Sequence, residues 1–394
     1  MTRFLGCMLL LCLALSSEAQ AYRRLHKKAI VVDTHNDVLS TVTMRGLNFD
    51  ADLSGKSHSD LDRLKKGGVD VQVFSIFCDE RFGKDTAFAY ANREIDSLMA
   101  IIGRNRERMM LVTSPAELER AVTGQKLGCM LGVEGGHMIE DRLDYLDSFF
   151  RRGVRYLTLT WNNSTSWASS AKDEHAFATG LAPAGPAGLT AFGKTVVQRM
   201  NALGMLVDLS HVGEKTFWDV MNLTAKPVIA SHSCAYSLCP VPRNLKDDQI
   251  RAIAKNGGVI HLNFYSGFID SNYQKSKAAF MDRHRAEADS LKAAGMPGWE
   301  REEWLAEKYP LEAEAYRPSL DQLLDHIDHI VKLTGTAHVG LGSDFDGIES
   351  TPRPLNDVTS FPLLTKALRK RGYSKSEVRD ILGGNFIRVW KANQ

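Results

Sequence analysis

The chain has 394 residues, 44% of them hydrophobic and 24% charged, with a formal net charge of +2. That near-neutral balance excludes a dedicated nucleic-acid binder, which would carry a strongly basic face. The apolar content is that of an ordinary globular protein, and the length suits one large domain or two.

The first 21 residues read as an export leader. Arg3 supplies a positive start, Phe4 to Leu15 an apolar stretch, and Ala19-Gln20-Ala21 a small-x-small cleavage signature. The stretch is shorter than the roughly 20 residues a spanning helix needs, and the last residues, Lys391 to Gln394, offer no apolar tail for a lipid anchor. The expectation is an exported protein, periplasmic or secreted, without a stable membrane anchor, its folded domain running over 22–394.

Eight short apolar or β-branched runs follow, with helical patterns between them. The first, Ala29–Val32, leads into His35-x-Asp37. Residues i and i+2 of a strand point to the same side, so both side chains can meet one metal. The second run is Val69–Phe77. A helix around residue 95 shows Ile95, Leu98, Met99 and Ile102 at i, i+3, i+4 and i+7. Ser114-Pro115 with Glu117 marks the start of another. The third run, Leu127–Val133, ends at Glu134, where Gly135-Gly136 allow the tight turn that brings a carboxylate close to a metal. Val154–Leu159 is the fourth, and a turn-rich loop occupies residues 180–188.

Met205–Leu209 and Pro227–Ala230 end just before His211 and His232, and Arg243 follows in a proline-flanked segment. A guanidinium there suits a bidentate grip on a carboxylate, or equally a surface ion pair. After Gly258–Asn263 comes a charged helical insertion at about 271–318, read as a lid or subunit contact, or as a solvated appendage. Ser319 with Gln322 opens a helix with an apolar stripe of Leu320, Leu323, Leu324, Ile327 and Val331. Val339–Leu341, the eighth run, precedes Asp344 and Asp346, and Ser374 with Glu377 opens the final helices.

Continuous apolar strands alternating with amphipathic helices predict a (β/α)₈ barrel with a helical insertion after strand 7. An open doubly wound sheet is the alternative, but its Gly-x-Gly-x-x-Gly turn is missing. Imidazoles and carboxylates suit zinc and similar divalent ions. Five such side chains, His35, Asp37, Glu134, His211 and His232, stand at four strand ends and point to a catalytic metal site. Asp344, first after the last strand, is preferred over Asp346 as a proton shuttle, because the Asp-Gly pair fits a turn. Outside the leader lie Cys78, Cys129, Cys234 and Cys239, with no Cys-x-x-Cys spacing.

These residues, in this order, resemble the renal (membrane) dipeptidase family of zinc peptidases, family M19. The resemblance is carried by Asp33-Thr34-His35-Asn36-Asp37, Gly132 to His137, Val207 to His211, Ser231-His232-Ser233 through Arg243-Asn244, Asn263-Phe264-Tyr265, Gly342 to Gly347, and Gly384-Asn385 with Arg388-Val389. It runs from about residue 25 to the end, apart from the insertion.

The resemblance implies an amidohydrolase-like barrel with two Zn²⁺ per chain. His35 and Asp37 would hold one ion, His211 and His232 the other, and Glu134 would bridge them. It implies a hydroxide between the metals, with Asp344 taking and returning its proton. Arg243 would grip the substrate's C-terminal carboxylate, with Trp161, Asn162, Tyr265 and Asp344 around the substrate. It further implies small dipeptide substrates, tolerance of a C-terminal D-residue and a homodimer.

The chain departs from the family where a histidine commonly supports the tetrahedral intermediate: here stands Trp161, followed by Asn162 and Asn163. Cysteines bonded in mammalian members lack counterparts, for instance at Asn163 and Ser271. Two further readings follow, a related dinuclear amidohydrolase acting on other small amides or lactams, and a metal-binding homologue with impaired catalysis.

Overall fold

A computed structural model describes residues 20–181, 185 and 187–394. The leader expected over 1–21, with Cys7 and Cys12, lies outside them except for Gln20 and Ala21, as does part of the 180–188 loop. No helix among the described residues is long and apolar enough to cross a membrane.

Among the described residues, nine strands form one parallel sheet: β1 Val32–Asn36, β2 Val71–Ile76, β3 Met109–Leu111, β4 Leu127–Glu134, β5 Val154–Thr158, β6 Leu206–Asp208, β7 Ile229–Ala230, β8 Val259–Leu262 and β9 Val339–Leu341. Eight run in the order β1-β2-β4-β5-β6-β7-β8-β9, and the short β3 pairs only with β4. The segment after β9 returns to β1: Asp344 N–H donates to His35 O at 3.0 Å and Asp37 N–H to Phe345 O at 2.9 Å. Asp33 adds to this seam by accepting from both the backbone N–H and the hydroxyl of Ser343, each at 2.7 Å. The expected eight-stranded (β/α)₈ barrel is thus present, nearly closed.

Alternate strand residues divide the core. Val32, Val71, Val73, Met130, Tyr156, Leu206, Ile229 and Val259 pack together with Phe386, Val389 and Trp390 of the C-terminal helix Asn385–Asn393. The intervening residues, among them Phe74, Ile76, Leu131, Val133, Leu157 and Ile260, pack against the outer helices. Gly132 leaves room for the Tyr156 ring, whose nearest atom would lie 2.0 Å from a Cβ there.

The helix starts follow their sequence signals. Ser114 Oγ accepts from Glu117 N–H, and both Ser319 and Ser374 form full capping boxes. Helix Ala87–Arg104 buries Ile95, Leu98 and Ile102, but Met99 is 40% exposed because it lies at the edge of the apolar stripe. Between β8 and β9, helices Tyr273–Arg283, Arg285–Ala293, Gly298–Lys308 and Pro310–Tyr316 occupy the region of the expected insertion. Lys277 Nζ ties two of these helices together through Glu302 at 2.7 Å and fastens the insertion to the rim through Glu349 at 3.2 Å. The four cysteines outside the leader are buried free thiols.

Candidate metal centre

The C-terminal ends of the strands carry all five expected ligands to one rim, where barrels of this kind place their sites. His35 lies inside β1 and Asp37 just after it. Glu134 ends β4, His211 follows β6 and His232 follows β7. All five are buried.

Glu134 stands at the middle of this cluster. Its Oε2 lies 3.5 Å from His35 Nε2, while its Oε1 lies 2.9 Å from His211 Nε2 and 3.3 Å from His232 Nε2. Asp37 Oδ2 approaches His35 Nε2 at 3.4 Å, and Asp344 Oδ1 the same nitrogen at 3.9 Å. His35, Glu134 and His232 form one trio able to hold an ion, and His35, Asp37 and Asp344 a second. His35 Nε2 and Asp37 Oδ1 are buried without a hydrogen-bond partner. Orphaned ligand atoms of this kind are costly unless something meets them, and here they suit divalent cations. Gly347 is fitted to the same space, since a Cβ there would fall 2.2 Å from Asp37 Oδ2 and 2.7 Å from Asp344 Oδ1.

Charge in the metal-free cluster is strongly redistributed. Burial opposes a charged His35, yet Tyr156, Glu134 and Asp37 hold its pKa well above the ordinary imidazole value. Burial likewise opposes an ionised Glu134, but the three histidines keep its pKa well below the usual carboxylate range. Burial, and then Arg243, lower His211 to about 4. Burial, His35 and Arg243 hold His232 well below its usual value. Asp344 is pushed well above the carboxylate range, first by burial.

Behind the ligands stand residues that the sequence did not single out. His35 Nδ1 meets Tyr156 Oη at 2.8 Å, and that hydroxyl donates to Thr34 O at 3.1 Å. His232 Nδ1 meets Ser231 Oγ at 2.7 Å, and Ser231 Oγ donates to Asp208 at 2.6 Å. Asn263 Nδ2 donates to Asp344 Oδ2 at 2.8 Å, while its Oδ1 accepts from Tyr265 N–H at 2.6 Å. An acid inside the apolar run Val207-Asp208-Leu209 was the one available signal for Asp208. Asp346 turns to His58, whose N–H it accepts at 2.6 Å. His211 and Asp344 hold left-handed backbones, φ 65° and 62°, an arrangement common at functional sites.

Arg243 is buried beside the metal cluster. One terminal nitrogen donates to Ser233 Oγ at 2.7 Å and the other to His232 O at 2.8 Å, while its Nε has no partner. Arg243 and His211 line a cavity of about 920 Å³. Trp161 is half-buried and packs on Phe77 with ring centroids 4.9 Å apart. Asn162 contributes its carbonyl to Ser170 Oγ at 2.8 Å. Tyr265 directs its hydroxyl to Glu349 at 2.8 Å, so what it offers the rim is its ring.

Residues 19–394 match the family described as membrane dipeptidase, peptidase family M19. An uncharacterised dipeptidase of Schizosaccharomyces pombe is 33% identical over 392 residues, covering 95% of this chain and 83% of that protein. Dipeptidase 3 of Macaca fascicularis is 33% identical over 384 residues, 96% of this chain and 67% of its own length. Among solved structures, a metallo peptidase from Rhodobacter sphaeroides, liganded with a phosphinate mimic of the dipeptide L-Ala-D-Ala, is 26% identical with a TM-score of 0.74. The match covers 93% of this chain and 100% of that one.

Proposed function

Because the chain belongs to the membrane dipeptidase family, peptidase family M19, we propose that it cleaves dipeptides with two zinc ions held by His35, Asp37, Glu134, His211 and His232. One observation carries this reading: Glu134 turns one oxygen to His35 and the other to the His211–His232 pair. A bridging carboxylate is expected to divide its oxygens in that way.

When bound, such a cation pair lowers the pKa of water toward about 7 and polarises a carbonyl. The remaining steps belong to side chains of the chain itself. Arg243, fixed by His232 O and Ser233 Oγ, would take the substrate's C-terminal carboxylate with its guanidinium. Asp344 Oδ1 takes the proton of the attacking water and returns it to the departing amine nitrogen. Its Oδ2 is held by Asn263, so a single oxygen serves that exchange. Trp161 replaces a family histidine with an indole on Phe77, which favours a substrate range shifted from that of the mammalian enzymes.

A cavity lies beside Arg243, and the Rhodobacter enzyme's ligand mimics L-Ala-D-Ala. We therefore include C-terminal D-residues among the substrates, and small lactams as the related alternative. The leader motif supports export, and the family resemblance supports a homodimer. Measuring zinc per chain together with hydrolysis of L-L and L-D dipeptides and a lactam tests the reading. Two zinc ions with dipeptide cleavage are expected; full loading with no dipeptide cleaved would reject it.

A further inference from the structure

The hydrogen atoms around His232 of the second ligand set can be placed by elimination. Asp208 is fully buried and accepts four bonds. Its Oδ1 takes the backbone N–H groups of Ser210 at 3.1 Å and Ser231 at 2.7 Å. Its Oδ2 takes the hydroxyls of Thr158 at 2.5 Å and Ser231 at 2.6 Å. The one proton of Ser231 Oγ is thereby committed to Asp208. The 2.7 Å contact between Ser231 Oγ and His232 Nδ1 must then be donated by the imidazole. That leaves a lone pair on His232 Nε2, directed at the cluster.

His211 differs. Its Nδ1 is buried and has no partner, while its Nε2 lies 2.9 Å from Glu134 Oε1 and 3.0 Å from His232 Nε2.

We propose that Asp208 is a positioning residue: through Ser231 it presets His232 as the Nδ1–H tautomer, ready to bind a cation. His211 has no such relay, its Nδ1 being buried without a partner. This inference rests on the metal reading only for its purpose, because the proton positions are a property of the metal-free chain. Partners behind a ligating histidine fix its tautomer, and losing them typically lowers metal affinity by about 10–100-fold.

Asp208→Asn is the sharp test because it is isosteric and inverts the relay. The two backbone N–H groups require the amide oxygen, so the NH₂ must face Ser231 and donate to its hydroxyl. The Ser231 proton then turns to His232 Nδ1 at 2.7 Å, a closer acceptor than Ser210 Oγ at 3.3 Å. His232 would be driven to the Nε2–H form, which cannot ligate.

Long-range ¹H–¹⁵N spectra of metal-free, histidine-labelled protein read the tautomers directly. Wild type should show His232 as Nδ1–H, and D208N should convert His232 to Nε2–H. Competition calorimetry with Zn²⁺ should show one of two sites weakened about 10–100-fold and the other little changed. Should D208N not fold, Ser231→Ala removes only the relay and should give His232 mixed tautomers. His232 as Nε2–H in wild type, or as pure Nδ1–H in either variant, would overturn the proposal. A chain with this tautomer that binds no zinc would sink the metal reading and leave the relay standing.

Discussion

Asp344→Asn isolates the proton-transfer role from metal binding. Asn263 cannot turn its amide over, because its Oδ1 already accepts from Tyr265 N–H at 2.6 Å and its Nδ2 faces Asp344 Oδ2 at 2.8 Å. In D344N the new amide must therefore place its oxygen toward Asn263. Its NH₂ then occupies the position of Oδ1, 3.9 Å from His35 Nε2, a donor where the reaction needs an acceptor. General acid–base groups contribute about 10²–10⁴-fold, or about 2.7–5.5 kcal/mol of barrier. The five ligands are untouched, so the variant should keep its zinc while kcat falls by that factor. Metal per chain by atomic absorption, with kcat on a cleaved dipeptide, decides it. Normal turnover would mean that another group moves the proton, and loss of zinc alongside activity would make Asp344 a ligand.

Arg243→Ala should raise KM for dipeptides with a free carboxylate by roughly 10–150-fold, the worth of a charged hydrogen bond of about 1.5–3 kcal/mol. An amidated dipeptide should be cleaved nearly as well by the variant as by wild type; equal losses on both substrates would refute the grip. Removing metal with a chelator should lower the thermal midpoint, and zinc at 100 times Kd should restore about 2.7 kcal/mol per site. A calorimetric midpoint indifferent to zinc would contradict the centre. Away from the site, burial raises Asp70 from 3.8 to about 6, against the Val31 N–H bond that favours its charge. The folded chain then binds this proton more tightly than the unfolded one, so Asp70's contribution to stability falls as pH rises from about 3.8 to about 6 and is flat above. Burial raises Asp33 to about 6 as well, so Asp70→Asn should make that segment shallower in urea titrations of metal-free protein, and an unchanged slope would refute the assignment.

Hydrophobic patterning located all eight barrel strands, but it placed the first at 29–32 where β1 spans Val32–Asn36. The discrepancy is physical: Asp33, His35 and Asn36 are buried polar residues of the site, so an apolar run stops where the function begins. β3 escaped notice because three residues, Met109 to Leu111, are too few for any period, and it pairs on one side only. The ligands were legible as polar residues ending apolar runs. Tyr156, Ser231 and Asn263 were not, because a hydroxyl or amide within a strand or just past its end reads the same whether it backs a ligand or merely packs. Their roles depend on which neighbour receives each hydrogen, and that is settled only in three dimensions.

The seam between β1 and the segment after β9 joins residues some three hundred positions apart. Asp33 clasps Ser343, and the His35 carbonyl holds the amide of Asp344. Asp344 thus reaches the cluster only when the final stave of the barrel docks. A chain that has folded every earlier strand still lacks this acid and the clasp that seats it. If Asp344 carries the proton as proposed, hydrolytic competence should arrive abruptly with that last docking, not grow by degrees, and any product cut short before residue 344 should be inert.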